Sequence, residues 1–465
     1  MRQRSVGLDL TEGNLTKKMI QYALPVMLST ALQQVYSLVD MMIVGQVLGS
    51  VGLASVSLGS QISHIMLMLS IGFTNATAVL ISQAYGSRNK KAMKELMGTA
   101  FTVVALMAAV ATAVGLIFGK SLLGVINTPA EAFKGASQYL FYSCLGFVFM
   151  FGYNVIAAVY RGIGDSTRPL IFITISSITN LILDLLFVAV FHWGPAGASI
   201  ATSLSQAVSF VVSLSYLYKK REDLGFDFKL RSFRILKDSL IPILKLGIPG
   251  SITMAAIQFS FMVVSANINK YGVDPAAAFA VGQRVDGLPG IVGNAVGSAM
   301  GVVVGQNFGA GKFDRIEKGS RVALVISGTV SAIFAAIFLI FPRQVFSIFT
   351  KDEATLALAR TVMTGLVIAH PFNVMMNAYR GVVQGVGNAG LEMAMGIFDG
   401  VVLRIALAYF FGTVLGLGFF GFVIGYAGAA VGTGVPSMIY YLSRRWKKRK
   451  VLVKASDEAE AEEAE

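Results

Sequence analysis

The sequence predicts an all-α, polytopic membrane protein with twelve transmembrane helices in two six-helix bundles related by pseudo-twofold symmetry. Composition is the first reason: of 465 residues, 55% are hydrophobic and only 14% are charged, whereas a soluble domain has about 25% charged residues. The second reason is a series of long apolar segments, and the third is an internal repeat. So few charges exclude a disordered chain and a secreted globular enzyme, and the single cysteine excludes a disulfide scaffold.

The apolar segments are long enough to cross a bilayer, which takes about 20 residues of helix. Residues 169–218 contain a single Asp, Glu, Lys or Arg, which is Asp184, and residues 246–269 and 322–342 contain none. We predict helices at 19–47, 53–84, 96–118, 133–160, 168–190, 196–218, 240–269, 276–308, 319–341, 355–379, 390–412 and 418–443. The first segment is too long for a signal-peptide core, so we expect it to remain in the mature protein.

The predicted loops differ in their content of basic residues. One side of the membrane receives 29 of the 38 Lys and Arg and the other side receives 6, and basic residues mark the cytoplasmic side. We therefore expect a multi-pass protein of the cell membrane with both termini in the cytoplasm, and the pI near 9.7 requires no nucleic-acid partner. The predicted divisions are a cytoplasmic N-terminal segment (1–18), an N-lobe (19–218), a basic cytoplasmic linker (219–239), a C-lobe (240–443) and a disordered tail, basic and then acidic (444–465).

The two halves of the chain resemble each other at an offset of about 223 residues. The matching segments are Ser82–Gly86 with Gly305–Gly309, Gly162–Asp165 with Gly385–Asn388, Asn154 with Asn377, and, one residue out of step, Pro25 with Pro249. An even number of helices in each half gives both halves the same topology. This parallel repeat is typical of alternating-access carriers.

Two glycine motifs resemble nucleotide-binding signatures, but neither has the required context. Residues 385–390 fit G-x-G-x-x-G, yet they follow a membrane helix where a dinucleotide site needs a strand. Residues 115–121 are one residue too short for a phosphate loop. Three histidines and Cys144 show no metal or nucleophile spacing, and the histidines are His64, His192 and His370. We therefore expect no enzymatic activity and no cofactor.

Charged residues inside the bilayer cost about 2.5–3.5 kcal/mol each on insertion scales, so those that occur are candidates for function. The second half contains two acids that each lie close to a base in the sequence. Asp286 is near Arg284, and Asp399 is near Arg404. Each pair can neutralise itself and fasten helices, and the sequence leaves open whether the four residues are functional or structural.

The first half contains two acids, Asp40 and Asp184, without a basic residue nearby on their own helices. Polar residues accompany them at helical spacing: Gln33 and Tyr36 on helix 1, Ser177 and Asn180 on helix 5, and Thr202, Gln206 and Ser209 on helix 6. Their oxygens suit a hard cation or a proton. Two carboxylates in one dry pocket cannot both ionise cheaply, so a bound Na⁺ or H⁺ relieves their repulsion. Cation loss then changes which helix packing is favoured.

A proline and an asymmetry of the repeat bear on this interpretation. Pro25, fifteen residues before Asp40, frees a backbone carbonyl and gives helix 1 a hinge. The alternative is a polar cluster that only holds the bundle together. The repeat argues against that alternative, because the corresponding positions in the second half are Val264 and Leu407.

With these residues the chain resembles the multidrug and toxic compound extrusion (MATE) family over residues 15–445. The resemblance rests on the run from Pro25 to Asp40, the turns at 160–165 and 385–388, and Gln83 and Gln306 at the ends of helices 2 and 8. It implies the MATE/MOP fold of two six-helix lobes, a central cleft, and cation-driven export of organic, often cationic, drugs.

Within the family the chain is similar to the DinF-like and archaeal branch, whose cation site lies in the N-lobe. The resemblance implies coupling-ion ligands, for Na⁺ if the protein is sodium-coupled, at Asp40, Asn180, Asp184 and Thr202, with Asn154 in the same network. Another branch carries acids in helices 7 and 10. Here Gln258 and residues 370–377 offer no carboxylate, so the resemblance implies no second cation site in the C-lobe.

The resemblance also implies where the substrate binds. It places Gln33, Tyr36, Asn154 and Met27 at the cleft. Methionines supply an adaptable wall for varied ligands, and the candidates besides Met27 are Met66, Met150, Met254 and Met376.

We therefore expect a secondary active multidrug efflux transporter that exchanges Na⁺ or H⁺ for substrate by alternating access. Its expected partners are the lipid bilayer and small, cationic amphipathic organic molecules, and we expect it to act as a monomer. Two alternatives are a lipid-linked saccharide flippase of the same fold superfamily and a non-coupled membrane receptor or channel. A flippase cleft tends to be rich in arginine, whereas Arg284 and Arg404 are the only arginines that we assign to the membrane interior, away from the loops and span ends.

Overall fold

The computed structural model of the chain describes residues 7–453, and the acidic end predicted at 455–465 lies outside them. The described part contains no strand, which confirms the all-α fold. The membrane helices are α1 (15–48), α2 (50–86), α3 Lys90–Val125, α4 Ala130–Gly162, α5 Thr167–Val190, α6 Gly194–Lys219, α7 Lys237–Ile268, α8 Val273–Gly309, α9 Phe313–Ile340, α10 (353–385), α11 Ala389–Val414 and α12 Gly418–Leu442. Short helices lie at Arg221–Leu224, Leu230–Phe233, Asn269–Tyr271, Pro342–Ser347 and Arg445–Lys448.

Helices α1 and α2 form one helical run, Leu15–Gly86, that a single residue interrupts. Gly49 has φ 66° and ψ −166°, a backbone conformation that residues with a side chain rarely adopt. The absence of a Cβ atom at this position therefore lets one span end and the next begin without a loop.

Helix α10 is broken into the pieces Glu353–Ala357, Ala359–Val367 and His370–Gly385. The helix predicted over 355–379 is therefore present, divided into three pieces. Pro371 lies at the start of the third piece. A backbone N–H at this position would have no partner within the helix, so its absence in proline does not destabilise the helix. Ten helical segments of the described chain are long and apolar enough to cross a membrane, with α1 and α2 counted together. Separating these two and adding α10 gives the twelve spans that the sequence predicts.

Several helices extend beyond their predicted apolar cores. Helix α3 begins at Lys90 and α9 begins at Phe313, where the predictions were residues 96 and 319. Asn89 caps α3, since its side-chain oxygen accepts a hydrogen bond from the backbone N–H of Ala92 at 2.9 Å. Hydropathy locates only the apolar part of a helix, so a polar first turn of this kind is missed.

The chain forms two compact units, each with five whole spans and a part of both α1 and α7. One contains Leu28–Ser251, and the other contains Leu10–Met27 together with Ile252–Leu452. The first part of α1 is therefore grouped with the second half of the sequence, and the first part of α7 is grouped with the first half.

Hydrogen bonds account for this grouping. In the second unit, the side-chain oxygen of Gln306 accepts a bond from the N–H of Leu10 at 2.9 Å, and Asn307 Nδ2 donates to the Leu10 carbonyl at 3.3 Å. In the first unit, Ser251 Oγ donates to the carbonyl of Leu69 at 2.7 Å. Each unit thus binds the beginning of a helix whose remainder lies in the other.

The internal repeat is visible in the turns between helices. Gly164 and Gly387 both have positive φ, 86° and 72°, and so do Arg88 and Gly311, at 57° and 68°. After each of these four residues, the next N–H donates to the carbonyl five residues earlier, at 2.8 to 3.0 Å. The G-x-G-x-x-G match is therefore the second copy of a turn between helices, as the sequence predicts.

The segment 219–239 packs closely against α3. Phe226 is buried and contacts the rings of Phe101 and Phe233, with centroids 5.7 and 5.4 Å away. The hydroxyl of Thr102 donates to the carbonyl of Phe233 at 2.5 Å. This basic segment is thus a folded part of the first unit.

Candidate functional site

Asp40 on α1 and Asp184 on α5 meet in the first unit. Their carboxyl groups lie within hydrogen-bonding distance of each other, and Asp184 is fully buried. Asp184 ends the regular part of α5, and the following turn, Leu185–Val190, is a π-helix. Such wider turns occur frequently at functional sites. The structure thus brings together the two acids that the sequence singled out.

The oxygens of this pair lack donors. Both carboxylate oxygens of Asp184, Oδ1 of Asp40 and Oδ1 of Asn180 are buried and accept no hydrogen bond from any residue that the structure describes. Leaving ionised carboxylates buried without donors or a counter-charge costs several kcal/mol. A proton shared by the two carboxyl groups, or a cation between them, removes that cost. The cluster is therefore suited to hold a positive charge.

Helix α6 completes the cluster. Asn180 Nδ2 lies 3.4 Å from the hydroxyl of Thr202, and this hydroxyl donates to the carbonyl of Ala198 at 3.0 Å. Ser177 and Asn180 are both buried. The polar stripe of α5 thus faces protein rather than lipid, as its spacing predicts.

Two tyrosines border the acids. Tyr36, one turn before Asp40, lies close to Thr202, although the resemblance placed Tyr36 at the substrate. Tyr139 on α4 reaches the same threonine and Ser143. Tyr139 was not predicted: it and Ser143 lie four residues apart on one helix face, but this spacing alone does not show which neighbouring helix the face meets.

All the polar groups at this site present oxygen. They come from two carboxyl groups, one amide and several hydroxyls. Na⁺ prefers oxygen ligands of this kind, and a carboxylate oxygen can also bind a proton. Asp40 and Asp184 would provide the counter-charge, and Asn180 and Thr202 would provide neutral oxygens. The residues therefore fit a coupling ion.

Asn154 lies away from this cluster. It is fifteen residues beyond Tyr139 on α4, which is about 22 Å along the axis at 1.5 Å per residue. Gly146, which packs against Ser203, the residue after Thr202, is still eight residues, or about 12 Å, before Asn154. The structure thus does not bring Asn154 into the predicted cation network, because the helix axis separates them.

The other predicted substrate and hinge residues lie earlier in α1. Gln33 is exposed, whereas Met27 and Pro25 are half-buried and belong to the segment that is grouped with the second unit. The backbone of α1 stays helical at Pro25. The roles of these residues remain predictions.

In the second unit, the predicted pairing of Asp399 with Arg404 is confirmed. Arg404 Nη2 donates to Asp399 Oδ1 at 2.9 Å, and the hydroxyl of Thr433 donates to Oδ2 at 2.7 Å. The guanidinium also lies over the ring of Phe261, 4.4 Å from its centroid. Both charges of this pair are buried.

The predicted pairing of Asp286 with Arg284 is wrong. Oδ1 of Asp286 lies 3.2 Å from Nε2 of His370 on α10, and Arg284 is exposed. Residues two positions apart on a helix point to different sides, so their charges do not meet.

A further buried ion pair was missed. Arg380, which the sequence placed in a loop, donates two hydrogen bonds to Glu392 Oε1 at 2.8 and 2.5 Å. Gln384 donates to the same oxygen at 2.9 Å. Because α10 extends to Gly385, Arg380 is a helical residue and can pair with the buried acid on α11.

The fold and the site define a class: a polytopic helical membrane protein with two homologous halves and an acceptor-rich site in one of them. The family model MatE matches residues 25–186 and again residues 249–410. The chain therefore belongs to the MatE family of multidrug efflux transporters, and it is not an enzyme. The second match begins 224 residues after the first, which confirms the internal repeat.

Relatives and solved structures agree with this assignment. The chain is 28% identical to the probable multidrug resistance protein YpnP of Bacillus subtilis, over 95% of this chain and 98% of that protein. It is 30% identical to the probable multidrug resistance protein YoeA of the same organism, over 75% and 76%.

Among solved structures, the chain is similar to a MOP superfamily transporter from Pyrococcus furiosus, with a TM-score of 0.87 and 23% identity over 97% of this chain and 100% of that one. It is equally similar to an outward-facing multidrug resistance MATE family transporter of the MOP superfamily, with a TM-score of 0.87 and 23% identity over 96% and 100%. The predicted MATE/MOP fold is confirmed.

Proposed function

We propose that this protein exports organic molecules by exchanging them for Na⁺ or H⁺, and that the coupling ion binds in the first unit. The observation that carries the proposal is the meeting of Asp40 and Asp184, whose buried oxygens have no donor in the part of the chain that the structure describes. Asn180 and Thr202 complete the ligand set. When the ion leaves, two like charges face each other in a dry site, which favours another packing of α1 against α5.

The asymmetry between the halves supports coupling rather than simple helix fastening. In the second unit the buried acid Asp399 has its own guanidinium and hydroxyl partners. Within residues 7–453, Asp40 and Asp184 have no such partners, so an ion from solution would neutralise them. A cluster that merely fastened helices would carry its own counter-charge.

The substrate class follows from the relatives, which are named multidrug resistance proteins. We propose small, cationic amphipathic molecules that contact Gln33, Met27 and Asn154, and we propose that Tyr36 links the substrate to the ion site because it lies beside Asp40. Pro25 is the proposed hinge of α1. The protein would act as a monomer in the cell membrane.

A transport assay on reconstituted protein tests the coupling. In proteoliposomes with an imposed gradient of Na⁺ or of protons, the wild-type chain should move a fluorescent aromatic cation such as ethidium uphill. Asp40→Asn should abolish uphill movement, because the amide keeps the shape but loses the charge. Asp314→Asn, an exposed acid at the start of α9, is the matched control and should transport normally.

The assay identifies the coupling ion and distinguishes an ion site from a polar cluster that only fastens the helices. Imposing the Na⁺ and pH gradients separately identifies the coupling ion, since only the gradient of that ion should drive accumulation. Full uphill transport by a correctly inserted Asp40→Asn variant would disprove the ion site. A variant that loses stability equally with and without the ion would indicate a fastening cluster.

We also propose that both termini face the cytoplasm. Cys144 is buried and is the single cysteine of the sequence, so Cys144→Ser gives a background for labelling. In that background, Lys351→Cys should react with an impermeant maleimide on intact cells, and Ser443→Cys should react only after permeabilisation. The opposite pattern would reverse the topology.

A further inference from the structure

A cavity of about 350 Å³ opens at one end of the second unit. It lies between the first turns of α9, the last turns of α10 and the end of α12, and the short helix Arg445–Lys448 closes it. Its lining residues are Glu317, Ser320, Arg321, Tyr379, Tyr441, Leu442, Arg444 and Trp446. Because these helices all end here, the cavity is at the level where a bilayer has its polar headgroups.

The charges of the cavity favour an anion. Arg321 and Arg444 both line it, and Glu317 is the only acid among the described lining residues. The ammonium of Lys447 lies 2.7 Å from the Glu317 carboxylate and neutralises it. Arg321 and Arg444 also act on Glu317 electrostatically, so these three cations and one acid leave two net positive charges at the cavity.

The walls are aromatic and tightly held. The ring of Tyr441 stacks parallel to that of Trp446, with centroids 6.2 Å apart, and lies 4.8 Å from that of Tyr379. Trp446 is fully buried, and its indole N–H donates to the carbonyl of Tyr441 at 3.0 Å. The cavity is thus a built feature and not a gap between mobile side chains.

Two local features point towards a ligand. Arg444 has φ 54°, a left-handed conformation that is uncommon for a residue with a side chain and is worth attention where it occurs. The hydroxyl of Ser320 is buried, lies beside Tyr441, and forms no hydrogen bond of normal geometry within the described chain. A buried hydroxyl without a partner costs free energy unless a ligand satisfies it.

We propose that this cavity binds the phosphate group of an anionic phospholipid. Arginine forks match phosphate oxygens, and the Ser320 hydroxyl can donate to a third oxygen. Basic pockets between membrane helices on the cytoplasmic side bind anionic headgroups, and this end of the unit carries the loops that the charge count assigns to the cytoplasm. The site is independent of the ion-binding cluster.

Trp446 provides the measurement, because the sequence contains only one other tryptophan, Trp193. In a Trp193→Phe background, delipidated full-length protein in mild detergent is titrated with phosphatidylglycerol while the Trp446 fluorescence is recorded. We expect saturable binding that phosphatidylcholine does not reproduce. Arg321→Gln and Arg444→Gln should each weaken binding by about tenfold or more, as expected when a charged hydrogen bond is lost.

Matched controls decide the outcome. Lys318→Gln and Arg445→Gln remove neighbouring basic residues that do not line the cavity, and binding should be unchanged. Inorganic phosphate and glycerol phosphate form the soluble arm. If they bind as tightly as the lipid, the source is a free phosphate; equal binding of phosphatidylcholine, or equal losses in the control variants, would overturn the site. Native mass spectrometry of the same variants gives an independent count of bound lipid.

Discussion

Asp286 on α8 and His370 on α10 form a partly buried pair, with 3.2 Å between Oδ1 and Nε2. The other ring nitrogen of His370, Nδ1, lies 3.2 Å from the backbone carbonyl of Ser331 on α9. A carbonyl oxygen only accepts, so Nδ1 carries a hydrogen and donates to it. The imidazole ring therefore links three helices of the second unit.

Removing the acid should weaken this link. Asp286→Ala leaves Nε2 of the buried His370 without a partner, which should lower the free energy of unfolding by about 1–3 kcal/mol. Unfolding in mixed micelles with increasing denaturing detergent measures the change. Arg284→Gln, the exposed residue two positions earlier, should change stability by no more than about 0.5 kcal/mol. Equal losses in the two variants would contradict the pairing.

The ion pair on α11 should be far more sensitive to the loss of one partner than to the loss of both. Arg404→Gln leaves the buried Asp399 carboxylate with only the hydroxyl of Thr433, and breaking such a pair costs about 3–5 kcal/mol. Adding Asp399→Asn to that variant should recover part of the loss, because the uncompensated charge is gone. The same unfolding assay measures both variants. A double variant that loses the sum of the single effects would show that the charges do not interact.

Tyr139 should affect ion binding without being a charged ligand. Tyr139→Phe keeps the ring but removes the hydroxyl that reaches Thr202 and Ser143. One neutral hydrogen bond corresponds to about a two- to tenfold change in affinity, so the half-saturating ion concentration for transport should rise by that factor. Tyr153→Phe is the control, because Tyr153 lies on the same helix but bonds to the Pro169 carbonyl. A larger effect in the control would remove Tyr139 from the site.

The two central acids could be found from the sequence because a charge in an apolar helix is rare and costly. Polar residues at helical spacing, such as Asn180 on α5 and Thr202 on α6, then predicted which side chains accompany the two acids. Tyr139 could not be found in this way. Aromatic residues are common in membrane helices, and the role of Tyr139 depends on which face of α4 meets α6, which no single helix encodes.

The side-chain pairs of the second unit show the same limit of prediction from the sequence. Asp399 and Arg404 lie on one helix, so their pairing followed from spacing. Asp286 and His370 are 84 positions apart and meet because α8 packs on α10. The breaks in α10 were also hidden, since the apolar pattern continues through them and only the folded backbone reveals them.

The folded linker should respond to pH through Asp227, which lies between α6 and α7. The hydroxyl of Ser232 and then the ammonium of Lys94 hydrogen-bond to this carboxylate and hold the pKa of Asp227 well below its usual range. A depressed pKa stabilises the fold above the unfolded value of about 3.9, and the stabilisation is lost as the pH falls through the lower folded value.

Between about pH 7 and pH 5 the amides of residues 226–234 should therefore keep the same protection from hydrogen exchange, once exchange rates are corrected for pH, and they should lose protection only in stronger acid. Asp227→Asn should lower the protection at neutral pH and remove its acid dependence. Asp223→Asn, an exposed neighbour that pairs with Lys220, is the control and should leave both unchanged. Protection that falls already near pH 6 in the wild-type chain would mean that another group holds the linker on α3.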